Sequence, residues 1–197
     1  ELTRAAMTED YLFGDGLYQN WVDCYPAIRK DLYFVMDDSW DIPKDVNDSP
    51  NLYLGCVELS SDRFPSFRGD AVERLKQLSE HIKSKGWKGV GGWICAQKAE
   101  MHAAIPEEEY WKQRIKTANA AGFDYWKVDW GKEDRNGEWR RKLTAIGKRY
   151  APHLYIEHAL RNEFIEFSDV FRTYDVENIT AQPITIRRIC DLLPYKT

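Results

Sequence analysis

The residues with the most chemical promise in this chain are Lys127 and Asp129, in the stretch Phe123-Asp124-Tyr125-Trp126-Lys127-Val128-Asp129-Trp130-Gly131. This stretch follows a helical pattern that stops at Gly122 and reads as a short buried strand. Side chains alternate along a strand, so Lys127 and Asp129 share one face while Val128 points to the other. An ammonium beside a carboxylate favours the ionised form of the acid, which a nucleophile or an electrostatic stabiliser needs. An ordinary strand-end ion pair has the same spacing. Other stretches that read as strands also end at acids: Leu32-Tyr33-Phe34-Val35-Met36 at Asp37-Asp38-Ser39-Trp40, Leu154-Tyr155-Ile156 at Glu157-His158, and Asp169–Tyr174 at Asp175.

Elements that alternate in type must position these ends. Residues 1–29 read as helix or loop, with Gly14-Asp15-Gly16 as a turn, and 41–69 as a long loop containing Pro43, Pro50 and Pro65. A helix follows, capped by Asp70 with Glu73 completing a capping box, striped by Val72, Leu75, Leu78 and Ile82, and stopped at Gly86. The glycine-rich strand Gly89–Cys95 comes next, where small residues admit close approach of backbone or ligand. The second helix has Pro106 near its first turn, Glu107 to Glu109 as a solvated acidic start, and Gly122 at its end. After a polar loop from Gly131 to Gly137, Glu138–Tyr150 is a helix with Trp139, Leu143 and Ile146 inward and Arg140, Arg141, Lys142 and Lys148 outward. A helical turn around Glu163–Phe167 and a last helix over Pro183–Leu193 complete the pattern. Such alternation predicts a parallel sheet with helices packed outside it. In a (β/α)8 barrel the acid-bearing strand ends converge on one face, and in an open doubly wound sheet they line a crevice.

Composition narrows the partners. The 197 residues carry 28 Lys+Arg against 32 Asp+Glu, a net charge of -4, which gives no reason to expect a nucleic-acid partner. No GxGxxG or GxxxxGK[ST] occurs, no apolar run approaches a membrane span, and Glu1-Leu2-Thr3-Arg4 does not resemble a signal peptide. Cys24, Cys56, Cys95 and Cys190 form no CxxC or Cys/His metal spacing, so buried thiols are expected and neither a metal nor a cofactor is. Eight Trp and eleven Tyr, several beside acids, suit sugar binding, where aromatic faces take C–H surfaces and carboxylates take hydroxyls. An aromatic-rich core uses the same residues.

Asp62-Arg63-Phe64-Pro65-Ser66, then Leu75 to Ile82, then Ser84-Lys85-Gly86-Trp87-Lys88 resemble a segment of the α-galactosidases of glycoside hydrolase families 27 and 36. The spacing back to Asp37-Asp38-Ser39-Trp40 and forward to Tyr125-Trp126-Lys127-Val128-Asp129 is similar too, so the likeness runs from about Asp31 to Val176. It implies a (β/α)8 barrel represented by about strands two to six, hence a single catalytic-barrel domain or a fragment of one. It also implies a retaining exo-acting hydrolase of terminal α-galactosides or closely related sugars, with a glycoside or oligosaccharide as partner and a secreted or periplasmic setting.

The same resemblance makes Asp129 the nucleophile and Asp175 the general acid/base. Asp37 and Asp38 match an acidic pair that receives sugar hydroxyls, with Trp40 beside them. Lys127 and Glu157 match substrate-binding positions, and Arg172 matches the arginine that precedes the acid/base. Trp93 and Trp130, like Trp40, adjoin strand ends where a ring can stack on a sugar. Arg172 and Asp175 stand one residue closer than is common in family 27, nearer to the family 36 arrangement, and Glu177 on the same strand face competes for the acid/base role. A non-catalytic sugar-binding relative of the same barrel is the alternative. A metal-dependent barrel enzyme is disfavoured, because the Lys127 ammonium would repel an ion at Asp129. His158 is open to either a titrating or a structural role.

Overall fold

The structure is a computed structural model that describes residues 2–16, 20–46, 48, 50–159, 164, 166–170, 183, 186, 187 and 190. Four strands, β1 (Tyr33–Met36), β2 (Gly89–Ile94), β3 (Tyr125–Val128) and β4 (Tyr155–His158), form an all-parallel sheet in the order β1-β2-β3-β4. Helices α1 (Leu2–Ala6) and α2 (Glu9–Phe13) precede the sheet, and α3 (Ala71–Ser84), α4 (Glu107–Ala120) and α5 (Gly137–Tyr150) lie between successive strands. Winding in one direction, without reversal among the described strands, is compatible with an arc of a (β/α)8 barrel. A parallel bridge from Glu157 to Val170 continues the order beside β4, where the sequence predicts the next strand. The rest of that strand lies outside the described residues. Pro183, Ile186, Arg187 and Cys190, within the expected last helix, are helical.

The helices begin where the sequence places them, with local differences. Asp70 accepts hydrogen bonds from the backbone N–H groups of Val72 and Glu73, and the Glu73 carboxylate accepts from the N–H of Asp70, which completes the capping box. Pro106, expected near the first turn of α4, is its cap residue. Asn136, within the expected polar loop 131–137, caps α5 by accepting from the N–H of Trp139. The apolar faces of α3, α4 and α5 meet the even side of the sheet: Leu75, Leu78, Ile82, Trp111, Ile115 and Leu143 pack with Phe34, Met36, Val90, Trp126, Val128 and Ile156 in one core.

Arg140 corrects the expectation of an outward basic face on α5, because it is fully buried. Arg141, Lys142 and Lys148 do face solvent. The acidic start of α4 is only partly a solvated face, since Glu107 Oε1 accepts the indole N–H of Trp139 at 2.7 Å and so ties α4 to α5.

The glycines of β2 serve packing. A Cβ on Gly92 would stand 2.9 Å from the ring of Trp40, so the absent side chain lets that indole lie flat against the helix-facing side of the sheet.

Residues 41–69 contain no helix or strand among those described, as expected, yet they bury Leu54, Cys56, Val57, Leu59 and Phe64. Arg63 organises this insertion. Its guanidinium, 1% exposed, donates to the carbonyls of Ile42 at 2.7 Å, Arg4 at 2.7 Å, Met7 at 3.3 Å, Pro43 at 3.2 Å and Lys44 at 3.3 Å. One side chain thereby donates to five backbone carbonyls, of which, among the described residues, only those of Arg4 and Pro43 also accept a backbone N–H.

Asp41 is buried beside it, and its carboxylate accepts the N–H of Val57 at 2.8 Å. Burial pushes its pKa up from 3.8 to about 7, the hydrogen bond from Val57 opposing only in part. Between these two values the unfolded chain ionises this acid while the folded chain keeps it protonated, so its contribution to stability is lost as pH rises and levels off above about 7. Asp41→Asn keeps an acceptor for Val57 and removes the titration. We therefore expect the stability of this variant to gain on the natural chain by on the order of 1 kcal/mol per pH unit through that window. Urea unfolding at a series of pH values measures the gap, and a pH-independent gap would show that Asp41 does not titrate there.

Candidate active site

The parallel register sets side chains in rows across the sheet. Trp93 on β2 is paired with Lys127 on β3, and Lys127 with Glu157 on β4. Asp37 follows Met36, the partner of Gly92, so it enters the same row from the end of β1. Asp129 stands two residues beyond Lys127 on the same face, as strand alternation requires.

Within this row Lys127 Nζ lies 3.3 Å from Asp37 Oδ1 and 3.7 Å from Asp129 Oδ2. One cation thus bridges two carboxylates from non-adjacent strands. Asp129 is 9% exposed and its Oδ2 also accepts the indole N–H of Trp93 at 3.0 Å. Glu157 is buried and accepts the hydroxyl of Tyr125 at 2.8 Å. Asp37 is the open member of the set, with its side chain 48% exposed.

The backbone around Asp129 is held on both sides. Its N–H donates to the carbonyl of Ile94 at 3.0 Å, and Arg140 Nη2 donates to its carbonyl at 2.6 Å. Arg140 also donates to the carbonyls of Val128 at 3.0 Å and Asp134 at 2.9 Å. The turn that follows is stitched to β2's exit by the N–H of Ala96 donating to Trp130 O at 2.8 Å, and Gly131 permits this approach, since a Cβ there would stand 2.6 Å from Ala96 O. A carboxylate whose backbone, strand and side chain are fixed in this way is preorganised for attack or for charge stabilisation.

Asp38 points to another partner. Arg4, from α1, donates through Nε at 3.0 Å and Nη2 at 2.8 Å to its Oδ2, while the Arg4 guanidinium stands 5.9 Å from the centre of the Trp130 ring. Charge-assisted contacts of this kind are the stronger class of hydrogen bond.

The three tryptophans separate in role. Trp40 is 0% exposed, and its indole N–H donates to Trp93 O at 2.8 Å, a core position that leaves no open face for a sugar. Trp93 is 1% exposed and acts through its N–H on Asp129. Trp130 is partly exposed, its ring 5.3 Å from that of Trp93, and it alone of the three retains accessible ring surface.

His158 has the structural role. It lies on the helix-facing side of β4, where Arg140 Nη1 is 3.1 Å from Nδ1 and Thr144 Oγ1 is 2.8 Å from Nε2. Because the guanidinium can only donate, Nδ1 accepts and the proton sits on Nε2, donated to Thr144, whose hydroxyl donates on to Arg140 O. Burial, helped by the Arg140 charge, lowers its pKa to about 3, so the ring stays neutral.

Arg172, Asp175 and the competing Glu177 lie outside the described residues. The fold therefore brings together Asp37, Trp93, Lys127, Asp129 and Glu157, sets Asp38 against Arg4, and puts Trp40 in the core.

Sequence reasoning missed Arg4, Tyr125 and Arg140. Tyr125 was legible, since it precedes Lys127 by two and must share its face. Arg140 was legible by period alone, because it falls in line with the buried positions Leu143, Thr144 and Gly147, but a basic side chain argued for the surface. Arg4 left no local signal.

A groove of about 600 Å³ between α4 and α5 lies on the outer side and is lined by none of these carboxylates. A cavity of about 490 Å³ beside β1 is lined by Leu12, Trp21, Tyr33, Val35 and Asp37 among others, and so reaches the row at its open member. No protein-family model matches this chain, and no curated protein does.

Replacing Arg140 by Met would leave the carbonyls of Asp129 and Asp134 and His158 Nδ1 without this donor, and Val128 O with only the N–H of Ala159. The expected loss is about 3 kcal/mol or more in urea unfolding. A change smaller than about 0.5 kcal/mol, the size of an ordinary surface substitution, would show that the guanidinium does not hold the end of β3.

Proposed function

We propose that this chain forms part of a (β/α)8 barrel of the α-galactosidase type and acts as a retaining exo-glycoside hydrolase. The observation that carries the reading is the row of carboxylates at the carboxyl ends of adjacent parallel strands, with Lys127 bridging Asp37 and Asp129. Active sites of such barrels are built at that end. The one-directional strand order and its continuation at Val170 support the barrel.

In this mechanism Asp129 attacks the anomeric carbon. Its Oδ2 is already directed by the Trp93 N–H and the Lys127 ammonium, and that ammonium also pairs with the second carboxylate nearby, Asp37. Asp175, assigned by resemblance, protonates the leaving oxygen and then activates water to release the sugar from Asp129. Retention requires the two carboxyl groups about 5–5.5 Å apart. In this reading Asp37, half-exposed and held by Lys127, and Glu157, held by Tyr125, accept sugar hydroxyls. Asp38 joins them when Arg4 releases or shares it, and partly exposed Trp130 offers a ring for stacking. A terminal α-galactoside is the leading substrate, because paired carboxylates suit its axial and primary hydroxyls.

Turnover of a panel of aryl α- and β-glycosides by the full chain tests the assignment. Asp129→Asn and Asp175→Asn should each lower kcat on the order of a thousandfold or more, with the natural chain retaining anomeric configuration in the product. Undiminished activity in both variants would sink the assignment. Saturable binding of the sugars without turnover by the natural chain would move it to the non-catalytic reading, and loss of activity in chelator at unchanged Tm would move it to metal chemistry.

A further inference from the structure

Away from the strand-end carboxylates, the insertion after β1 meets the short 3-10 turn Glu100–His102 that follows β2. There Cys56, Glu58 and His102 each present one donor atom, and these atoms lie within 4.8 Å of one another. We propose that Cys56, Glu58 and His102 bind a single divalent transition ion of borderline softness, Zn²⁺ being the natural choice, and that this ion clamps the insertion to the exit of β2. The proposal does not depend on the glycosidase reading.

The donor set is one sulfur, one oxygen and one imidazole nitrogen, the mixture that suits such ions, and it leaves a fourth position for water. Ion–ligand distances of about 2.0–2.3 Å require the donors to stand roughly 3.5 Å apart, so side-chain rotation must close separations of up to 4.8 Å by about 1.3 Å at most. One feature shows His102 ready to ligate: its Nε2 is buried without a hydrogen-bond partner, which is costly for an imidazole unless something else occupies it.

The surroundings hold the other two donors in place. Arg114 donates from α4 to Glu58 Oε1, orienting the carboxylate from behind as outer partners of metal ligands do. Tyr110 donates its hydroxyl to the carbonyls of Gly55 and Cys56. The cysteine is flanked by left-handed backbone at Gly55, φ 86°, and at Val57, φ 54°, a conformation that strains a β-branched residue and is kept by Asp41 accepting the Val57 N–H.

Burial pushes that thiol up to about 12, so it is protonated in the absence of an ion. Binding is then an exchange: the S–H bond breaks, the S–metal bond forms, and one proton leaves to solvent per ion bound. Thiolate and carboxylate together balance the ion, and the Arg114 charge is the electrostatic cost of holding Glu58.

Titration of the metal-stripped full chain with Co²⁺ tests the proposal. One equivalent should bind with a thiolate-to-cobalt charge-transfer absorption, release one proton, raise Tm, and be displaced by Zn²⁺. Cys56→Ser and His102→Gln should abolish the absorption, while the double variant Cys24→Ser/Cys190→Ser, which removes the more accessible thiols, should keep it. His102 lies on a partly exposed turn, so H102Q reports on binding even where C56S fails to fold. Absence of the absorption in the natural chain, its persistence in H102Q, or its loss in the Cys24/Cys190 variant would overturn the site.

Discussion

The parallel hydrogen-bond ladder through β1, β2, β3 and β4 is the constraint from which the rest of the geometry follows. In a parallel pair the partners point their side chains to the same side, so the register Met36–Gly92, Trp93–Lys127 and Lys127–Glu157 puts distant residues on one level. Lys127 can then reach carboxylates at the ends of β1 and β3 at once. A slip of one residue would turn Lys127 into the helix-packed core and Val128 toward the acids. The burial of Trp126 and Val128 against α4 and α5 makes that slip prohibitive, so the core fixes the chemistry-bearing face.

Arginines hold what the ladder leaves loose. Strand ends and loops expose carbonyls with no ladder partner, and a guanidinium has five donors in a fixed fork to satisfy them. Arg140 closes the end of β3 and so steadies the backbone of Asp129. Arg63 does the same for the turns that join the N-terminal helices to the insertion. The insertion is therefore a packed part of the structure, fastened at Arg63 and Asp41, and the strained backbone around Cys56 exists because these contacts over-determine it.

Much of this was legible in the sequence. The capping box at Asp70 and Glu73, the alternation in Tyr125–Asp129, and the order of strands and helices are local, and they reappear with small shifts at helix starts. The shared face of Lys127 and Asp129 follows from alternation alone. Trp40 and Arg140 were not read correctly, for opposite reasons: an indole beside two acids has no local mark of burial, and a guanidinium in a basic run has none either. Each is buried by a partner distant in sequence, Trp40 by Gly92 and Arg140 by the end of β3.

By itself the sequence determined the described strands and the main helices between them, the parallel class of the sheet, and that Asp37, Asp129 and Glu157 stand at strand ends, because these depend on period and on residues near one another in the chain. Only the tertiary structure decided which acids meet which cations, that Asp38 answers to Arg4 while Asp37 answers to Lys127, and that Cys56, Glu58 and His102 converge with no ligand spacing in the sequence. Those outcomes depend on the register between strands and on the path of a long insertion. Both are settled by packing over the whole core, which no local stretch encodes.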